Sequence, residues 1–321
     1  MLLSALARRL VCAPRLQSHR AVSGAAAVHP RVPDGMRLRP RSAPRALHGS
    51  GQLCFPQPRP LLPAPLGVGF SAGGLLFPYY VGVVEALRDA QLLTDDTQLA
   101  GASAGSLIAA VVATKMDLSD VMEVLRTFSA DLRANGTRGR LREALQKTLL
   151  SALPSDSLTL ANKRLHVAVT RFTGTRLVGE LFTDFESQED LCEALLTSCH
   201  IPFYSDKASV ARRFRGDWCC DGGLTNFLPV APDVAFSIRV CCFPAYSAAA
   251  AVGAQGLVDI APDAPGVSGA PIDAPYSTAK MLQWALTPAD DATMEELRTG
   301  GRVDTQRWLE RHSRAQDSAT D

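Results

Sequence analysis

The sequence predicts an α/β fold, because a strand, a glycine-containing turn and a helix follow one another twice within about 45 residues. The first unit is the apolar run 66–70, the turn 71–76 and an apolar stretch through Leu87. The second is the strand 97–100, the turn 101–105 and the apolar run 106–112. Short apolar runs bounded by turn residues are typical of buried strands, and their alternation with helices is typical of α/β domains.

The later elements continue the alternation of helices and strands. Apolar spacing predicts helices at 118–132, 139–151 and 188–198, and strands at 165–172, 177–182, 218–220 and 234–243. A last helix is predicted after Thr287-Pro288, where a capping residue precedes a proline at the first helical position. Residues 245–275 are rich in Ala, Gly, Pro and Asp, which predicts an irregular excursion or a linker.

The turn Gly101-Ala-Ser103-Ala-Gly105 has the spacing of a nucleophile elbow. A serine at a tight turn from strand to helix adopts a strained backbone, and side chains two residues before and after it would collide, so glycine is required at both places. The alternative is an ordinary small-residue turn that opens a core helix. The preceding turn 71–76 could direct backbone N–H groups at the oxyanion formed when Ser103 attacks an acyl carbon, or serve packing alone.

A serine hydroxyl needs a base, which is usually a histidine held by a carboxylate. The six histidines are poorly placed for this role. Three lie near the N-terminus, His166 lies in a strand-like run, and His200 precedes Ile201-Pro202. All are interpreted as structural, although His312 stays open because serine, acid, histidine is the chain order of the α/β-hydrolases.

Asp221 is the better candidate base. Asp221-Gly222-Gly223 is above all a turn signal, yet it follows the strand-like run 218–220, so the carboxylate should emerge at a strand end, where α/β sheets carry their sites. An exposed aspartate has a pKa of about 3.9 and is a weak base, so a direct Ser103–Asp221 pair would benefit from burial that raises this pKa.

Several ordered motifs resemble the patatin-like phospholipases, and within them the branch that contains adipose triglyceride lipase and adiponutrin. The similarity covers roughly residues 66–312. The motifs are the elbow 101–107, the glycine loop 71–77, the run 191–204, the Asp-Gly-Gly segment 221–229, and the tail with 284–288, 295–297 and Trp308-Leu309.

The resemblance implies a three-layer α/β/α fold with a mainly parallel central sheet, and hydrolysis of lipid esters through an acyl-enzyme. By position, Ser103 would be the nucleophile and Asp221, followed by Gly222 and Gly223, the base. The N–H groups around Gly73 and Gly74 would form the oxyanion hole, and no cofactor or metal is expected. The family loop reads Gly-x-Gly-x-x-Gly, whereas this chain has Ala72, Gly74 and Phe77.

The N-terminal 64 residues are strongly basic, whereas the rest of the chain is acidic. Residues 1–64 hold ten arginines, no lysine and one acid, which predicts a disordered leader and an organellar transit peptide for a plastid or mitochondrion. A retained arm, or an internal start at Met36, is the alternative, and the protein would then be cytoplasmic and peripheral to a membrane or lipid droplet. The remaining 23 basic and 31 acidic residues give about −8, which argues against a nucleic-acid partner. The catalytic domain is predicted at 65–244, and its C-terminal helical region at 276–313.

No apolar run reaches the roughly 20 residues that span a bilayer, so a lipid substrate would be reached by peripheral binding. Leu75, Leu76 and Phe77 are candidates for acyl-chain contact, with core packing as the alternative. The eight cysteines lack metal-site spacing and are expected to be buried free thiols. A protein coactivator is possible, and the sequence does not specify one.

Four functions remain open at this stage. The leading one is a lipid acyl hydrolase of triacylglycerol lipase or phospholipase A type. The others are an acyltransferase, in which an alcohol resolves the acyl-enzyme, a hydrolase with a Ser, Asp and His triad, and a catalytically silent lipid-binding or regulatory protein.

Overall fold

The protein is described here from a computed structural model, which covers residues 62–244, 258–262 and 276–320. The strands are β1 Leu66–Phe70, β2 Gln98–Ala102, β3 Leu165–Thr173, β4 Arg176–Phe182, β5 Arg212–Phe214, β6 Asp217–Asp221 and β7 Phe236–Val240. The helices are α1 Phe77–Asp89, α2 Ala104–Ala113, α3 Leu118–Asn135, α4 Leu141–Ala152, α5 Ser157–Ala161, α6 Gln188–Ser198, α7 Thr278–Leu286 and α8 Asp291–Thr320.

The seven strands form one sheet in the order β5-β6-β3-β2-β1-β7, with β4 paired to β3 outside this path. The four strands β7, β1, β2 and β3 are mutually parallel. The β3–β4, β3–β6 and β5–β6 pairs are antiparallel, so the sheet is mixed, with its parallel part extending from β3 to β7. The predicted α/β class is confirmed.

Both faces of the central sheet are covered. Successive side chains of a strand point to opposite faces, and residues 67–70 of β1, 99–102 of β2 and 165–170 of β3 are all buried. A strand buried on both faces lies between two other layers. The architecture therefore has the three layers that the resemblance implied.

The C-terminal helix α8 packs against α1 with unusually close backbones. A Cβ atom at Gly82 of α1 would lie 1.8 Å from the carbonyl oxygen of Arg298, and one at Gly301 of α8 would lie 2.1 Å from that of Tyr79. Glycine is therefore required on each helix. Arg298 and Arg302 both form ion pairs with Glu85, which adds charge contacts beside this crossing.

Two expectations fall mainly outside the described residues. Of the predicted leader 1–64, the structure describes residues 62–64 alone, and of 245–275 it describes 258–262. Within that short stretch Ile260 bridges to Val240 in parallel and is fully buried, as is nearly all of Ala261. These two residues pack in the core, and because the described stretch contains no helix or strand, the irregular excursion predicted at 245–275 stays a prediction.

Helix α7 lies within the predicted C-terminal helical region 276–313. The described chain also contains two short elements that the sequence analysis did not predict, namely α5 and β5. Each is too short to show a clear apolar period. The six described cysteines are buried, and none of them forms a disulfide.

Within the described parts of the chain, no helix combines the length and apolar character that crossing a bilayer requires.

Candidate active site

Ser103 lies at the tip of the turn between β2 and α2, with φ of 52° and ψ of −125°. A non-glycine residue in this region is strained and must be held by its surroundings. A Cβ atom at Gly101 would lie 2.1 Å from the carbonyl oxygen of Gly105, and one at Gly105 would lie 2.3 Å from that of Phe70. Neither position tolerates a side chain, which is the steric reason for glycine on both sides of Ser103.

Three hydrogen bonds hold the main chain of this turn. The N–H of Ser103 donates to Oγ of Ser198 at 2.9 Å, and that hydroxyl donates to the carbonyl of Ala168 at 2.7 Å. Oγ of Ser106 donates to the carbonyl of Ser103 at 2.6 Å. The strained turn is thus anchored both to β3 and to its own helix.

The sheet brings Asp221 to Ser103 by an arrangement of strand ends. β4 pairs with residues 167–173 of β3 and occupies one edge of that strand. β2 and β6 must therefore share the other edge, where Ala102 pairs with Ala168 and Asp221 with Val169. Because β2 runs parallel and β6 antiparallel to β3, their C-terminal ends meet head to head.

The Asp221 carboxylate accepts a hydrogen bond at 2.8 Å from the N–H of Gly223, and the Ser103 hydroxyl lies near enough to it to lower its pKa. Its backbone is fixed as well, because its N–H donates to the carbonyl of His200 at 2.9 Å and its carbonyl accepts from Oγ1 of Thr170 at 2.7 Å. Both members of the pair are buried, with 5% of Ser103 and 6% of Asp221 exposed.

Burial changes the chemistry of this carboxylate. Desolvation disfavours its charged form and raises the pKa of Asp221 from 3.8 to about 6, although the nearby Ser103 hydroxyl and the N–H of Gly223 act in the opposite direction. A carboxylate with a pKa nearer to neutrality is a better proton acceptor for a serine. The structure therefore supplies the burial on which a direct Ser103–Asp221 pair depends.

The glycine loop passes beside both residues. A Cβ atom at Gly105 would lie 2.5 Å from the carbonyl oxygen of Ser71, and one at Gly223 would lie 2.6 Å from Cβ of Ala72. Gly74 has φ of 55°, and a Cβ atom there would lie 2.1 Å from the carbonyl oxygen of Ala285 in α7. The loop therefore packs closely against the elbow, the turn after Asp221 and α7.

Backbone donors are available in this loop. The N–H of Ser71 donates to Val240 and that of Ala72 to Phe227. Among the described residues, the N–H groups of Gly73 and Gly74 have no acceptor. Donors of this kind are what a developing oxyanion requires.

Phe77 stands where the resemblance led us to expect a third glycine. It is the first residue of α1 and is 7% exposed, so its side chain joins the core and the wall of the neighbouring cavity. The turn before it is made by Gly73 and Gly74 instead. Ala72 has its methyl group beside Gly223, where the missing Cβ leaves room for it.

An apolar cavity of about 110 Å³ adjoins the glycine loop. It extends from that loop between α2, α3 and α4, and Thr148 is the one polar side chain in its wall. Leu75 and Phe77 line it, as proposed for acyl-chain contact, whereas Leu76 is fully buried in the core. Other wall residues include Gly74, Leu107, Val124 and Leu149.

The described histidines lie away from the pair or face elsewhere. Nδ1 of His312 contacts the carbonyl of Trp308, and its ring packs near Phe236. Phe236 pairs with Leu66 at the start of β1, about 13 Å along the strands from the end that carries Ser103. His166 contacts Gln98, also at the start of a strand. His200 is close, but it meets Asp221 through its backbone.

Within the described residues, no group of three or more His, Cys, Asp or Glu side chains could hold a metal ion. The arrangement offers a nucleophile, a base, backbone donors and an apolar cavity.

Ser198 and Tyr80 are the site residues that the sequence analysis missed. Ser198 holds the elbow, and the Tyr80 hydroxyl lies below the glycine loop, where a Cβ atom at Gly73 would approach it to 2.8 Å. Both are polar residues within apolar helical runs. That placement was the one available signal, and it does not indicate which loop they contact.

Comparison with known proteins places this geometry in a family. The patatin-like phospholipase family model matches residues 69–234. Patatin-like phospholipase domain-containing protein 4 of Homo sapiens is 32% identical over 263 residues, which are 76% of this chain and 96% of that protein.

Two relatives carry transferase names. The omega-hydroxyceramide transacylase of Mus musculus is 32% identical over 51% of this chain, which spans 28% of that protein. The 1-acylglycerol-3-phosphate O-acyltransferase of Homo sapiens is 27% identical over 76% of this chain, which spans 50% of that protein. The chain therefore spans about half or less of the length of these two relatives. Among solved structures, VipD from Legionella pneumophila is similar over 77% of this chain, with a TM-score of 0.43 and 15% identity.

Proposed function

The chain belongs to the patatin-like phospholipase family, and we propose that it is a lipid acyl hydrolase that cleaves carboxylic esters of acylglycerols or glycerophospholipids through a Ser103–Asp221 dyad. The observation that carries this proposal is that the ends of β2 and β6 bring the buried Ser103 beside the buried Asp221 carboxylate, whose pKa burial raises to about 6. No described histidine side chain hydrogen-bonds to either of the two.

The reaction would proceed in two steps. Oγ of Ser103 attacks the acyl carbon while its proton passes to Asp221, and the oxyanion accepts hydrogen bonds from the N–H groups of Gly73 and Gly74. Collapse breaks the ester bond, and the departing alkoxide takes the proton from Asp221. Water then attacks the acyl-enzyme, giving its proton to Asp221, and the fatty acid leaves as Oγ is reprotonated.

The apolar cavity supports a fatty acyl group as the bound part of the substrate. Its wall begins at Gly74 and Leu75 in the glycine loop and continues along α2 through Leu107, one turn beyond Ser103. An acyl chain whose carbonyl carbon lies at Ser103 would therefore have an apolar path leading away from the dyad. Burying that chain would supply binding energy away from the reacting bond.

Fatty-acid release by the full chain from triacylglycerol, phospholipid and galactolipid tests the proposal. We expect release to be lost in Ser103→Ala and Asp221→Asn. Asp217→Asn is the matched control, because Asp217 begins the strand that Asp221 ends and pairs with Arg171 instead. Release that survives in folded Ser103→Ala would refute the dyad.

Acyl transfer is the second candidate, and the names of the two transferase relatives favour it. The same acyl-enzyme would form, and the hydroxyl group of a second lipid would replace water. Adding lysophospholipid or diacylglycerol as an acceptor distinguishes the two functions, since a transferase forms the new ester faster than free fatty acid.

Two further alternatives have direct tests. A Ser, Asp and His triad predicts that His312→Ala abolishes turnover, whereas we expect turnover to be retained because the described contacts of His312 lie at the opposite end of the sheet. A silent lipid-binding protein predicts that folded wild-type protein fails to react with a fluorophosphonate at Ser103.

The leader supports a proposal about location. We infer from its arginine excess that residues 1–64 direct the protein to a plastid or mitochondrion, where it would act at a membrane or lipid-droplet surface by peripheral binding. Fusing these residues to a fluorescent protein and imaging cells tests this. Diffuse cytoplasmic fluorescence would contradict it.

A further inference from the structure

A buried polar cluster lies directly beneath the glycine loop. It consists of Ser71, Tyr80, Cys241 and Cys242, each of which is fully buried. Tyr80 is central, because its hydroxyl is 2.6 Å from the carbonyl oxygen of Ser71, 2.9 Å from Oγ of Ser71 and 3.2 Å from Sγ of Cys242. These side chains come from the loop itself, from α1 and from the residues that follow β7.

The donors and acceptors of the cluster match. The Tyr80 hydroxyl has one proton, and the carbonyl of Ser71 accepts it at the shortest distance. The phenolic oxygen can then accept from Oγ of Ser71, and Sγ of Cys242 is a second acceptor within reach of the phenolic proton. Burial raises the pKa of Tyr80 and of Cys242 well above their usual values, so both groups keep their protons at neutral pH.

This cluster also fixes the chain at Gly73. A Cβ atom there would lie 2.5 Å from Sγ of Cys242 and 2.8 Å from the Tyr80 hydroxyl. The glycine is thus in van der Waals contact with both polar side chains. The N–H of Ser71 donates to the carbonyl of Val240. The carbonyl of Ser71 is held to α1 by the hydrogen bond that it accepts from the Tyr80 hydroxyl.

We propose that Tyr80 is a positioning residue for the reaction, and that its hydroxyl, with Cys242, sets the orientation of the Gly73 and Gly74 N–H groups toward the oxyanion. The proposal rests on the hydrolase function proposed above. The loop has side chains at Ala72 and Phe77, and its backbone is held by the hydrogen bond from the buried Tyr80 hydroxyl.

Tyr79 provides a matched control. It precedes Tyr80 in the same helix, it is 2% exposed, and its hydroxyl donates to Oδ2 of Asp304 in α8 at 3.0 Å. Removing this hydroxyl also deletes a buried hydrogen bond, but the bond that is lost joins α1 to α8, not to the glycine loop.

The test compares Tyr80→Phe and Tyr79→Phe in the full chain. We expect both to lower the melting temperature by similar amounts. Tyr80→Phe should lower kcat at least tenfold on a soluble short-chain ester, with KM changed less than twofold, and should slow labelling by a fluorophosphonate to a similar extent. Tyr79→Phe should leave kcat and labelling within twofold of wild type.

Equal kcat values in the two variants would overturn the inference while wild-type hydrolysis still upheld the proposed function. Wild-type protein without hydrolysis or labelling would overturn both. If Tyr80→Phe does not fold, Cys242→Ala and Cys242→Ser carry the same test. The serine variant keeps a hydrogen-bonding partner for the Tyr80 hydroxyl and should retain kcat, whereas the alanine variant should lower it, and equal values in the two would contradict the role.

Discussion

The hydroxyl of Ser198 accepts the backbone N–H of Ser103 at a distance of 2.9 Å. This contact joins the last residue of α6 to the strained residue of the elbow. The same hydroxyl donates to the carbonyl of Ala168, so it acts as an acceptor and as a donor at once. The Ser103 N–H is therefore occupied, and the proposed oxyanion would need other donors, for which we propose the N–H groups of Gly73 and Gly74.

Ser198→Ala should reduce both stability and turnover. It leaves the buried N–H of Ser103 and the carbonyl of Ala168 without their partner, which we expect to cost about 1–3 kcal/mol in the free energy of unfolding. The strained elbow should relax and kcat should fall.

Ser187→Ala is the control. It lies at the other end of the same helix and removes a cap to the N–H of Asp190. It should cost about 1 kcal/mol and leave kcat unchanged. Equal kcat in the two variants would contradict the role of Ser198.

The pH dependence of kcat/KM should follow the ionisation of Asp221. The base must be deprotonated, and burial raises its pKa to about 6. Below that value kcat/KM should fall about tenfold per pH unit, and above it a plateau should follow. Initial rates on a soluble ester between pH 4.5 and 8 measure this. An activity that stays constant down to pH 4.5 would show that the free enzyme does not use a carboxylate with a raised pKa.

Asp221→Asn should stabilise the protein at neutral pH. A carboxyl group whose pKa is raised on folding, here from 3.8 to about 6, contributes stability that is complete below pH 3.8 and is lost as pH rises through about 6. The loss is about 3 kcal/mol at about 1.4 kcal/mol per pKa unit. The asparagine variant carries no charge to bury. Urea unfolding should show it to be more stable than wild type at pH 8 and equal near pH 4, whereas lower stability at pH 8 would contradict this.

Filling the apolar cavity should shorten the acyl chains that the protein accepts. Val124 lines the cavity from α3 and is 36% exposed, so Val124→Trp can enter it without disturbing the core. We expect kcat/KM for oleoyl esters to fall about tenfold and that for butyryl esters to change less than twofold. Leu150→Trp is the control, because Leu150 is 65% exposed and lies outside the wall. Equal chain-length profiles in both variants would refute acyl binding here.

Local steric demands made much of the site predictable from sequence. Contacts within the elbow require a glycine two residues before and two residues after Ser103. The run Asp221-Gly222-Gly223 indicates a turn at the end of a strand. Both signals lie in a few consecutive residues. The α/β class was predictable for the same reason, since each strand, turn and helix leaves its own pattern.

Contacts between distant segments could not be predicted in the same way. Ser198 lies 95 residues from Ser103, and Cys242 lies 162 residues from Tyr80. Their meeting depends on strand order and register, which no local pattern records. The burial that raises the pKa of Asp221 arises similarly, because β2 and β6 share one edge of β3.

The central claim is that Ser103 is the nucleophile and that Asp221 is its base. Intact-mass and peptide mass spectrometry after reaction with a fluorophosphonate tests it most directly. The account predicts one adduct on wild-type protein, located on Ser103, no adduct on Ser103→Ala, and at least tenfold slower labelling of Asp221→Asn, with Asp217→Asn labelled like wild type. An adduct on a different residue, or unchanged labelling of folded Asp221→Asn, would contradict it.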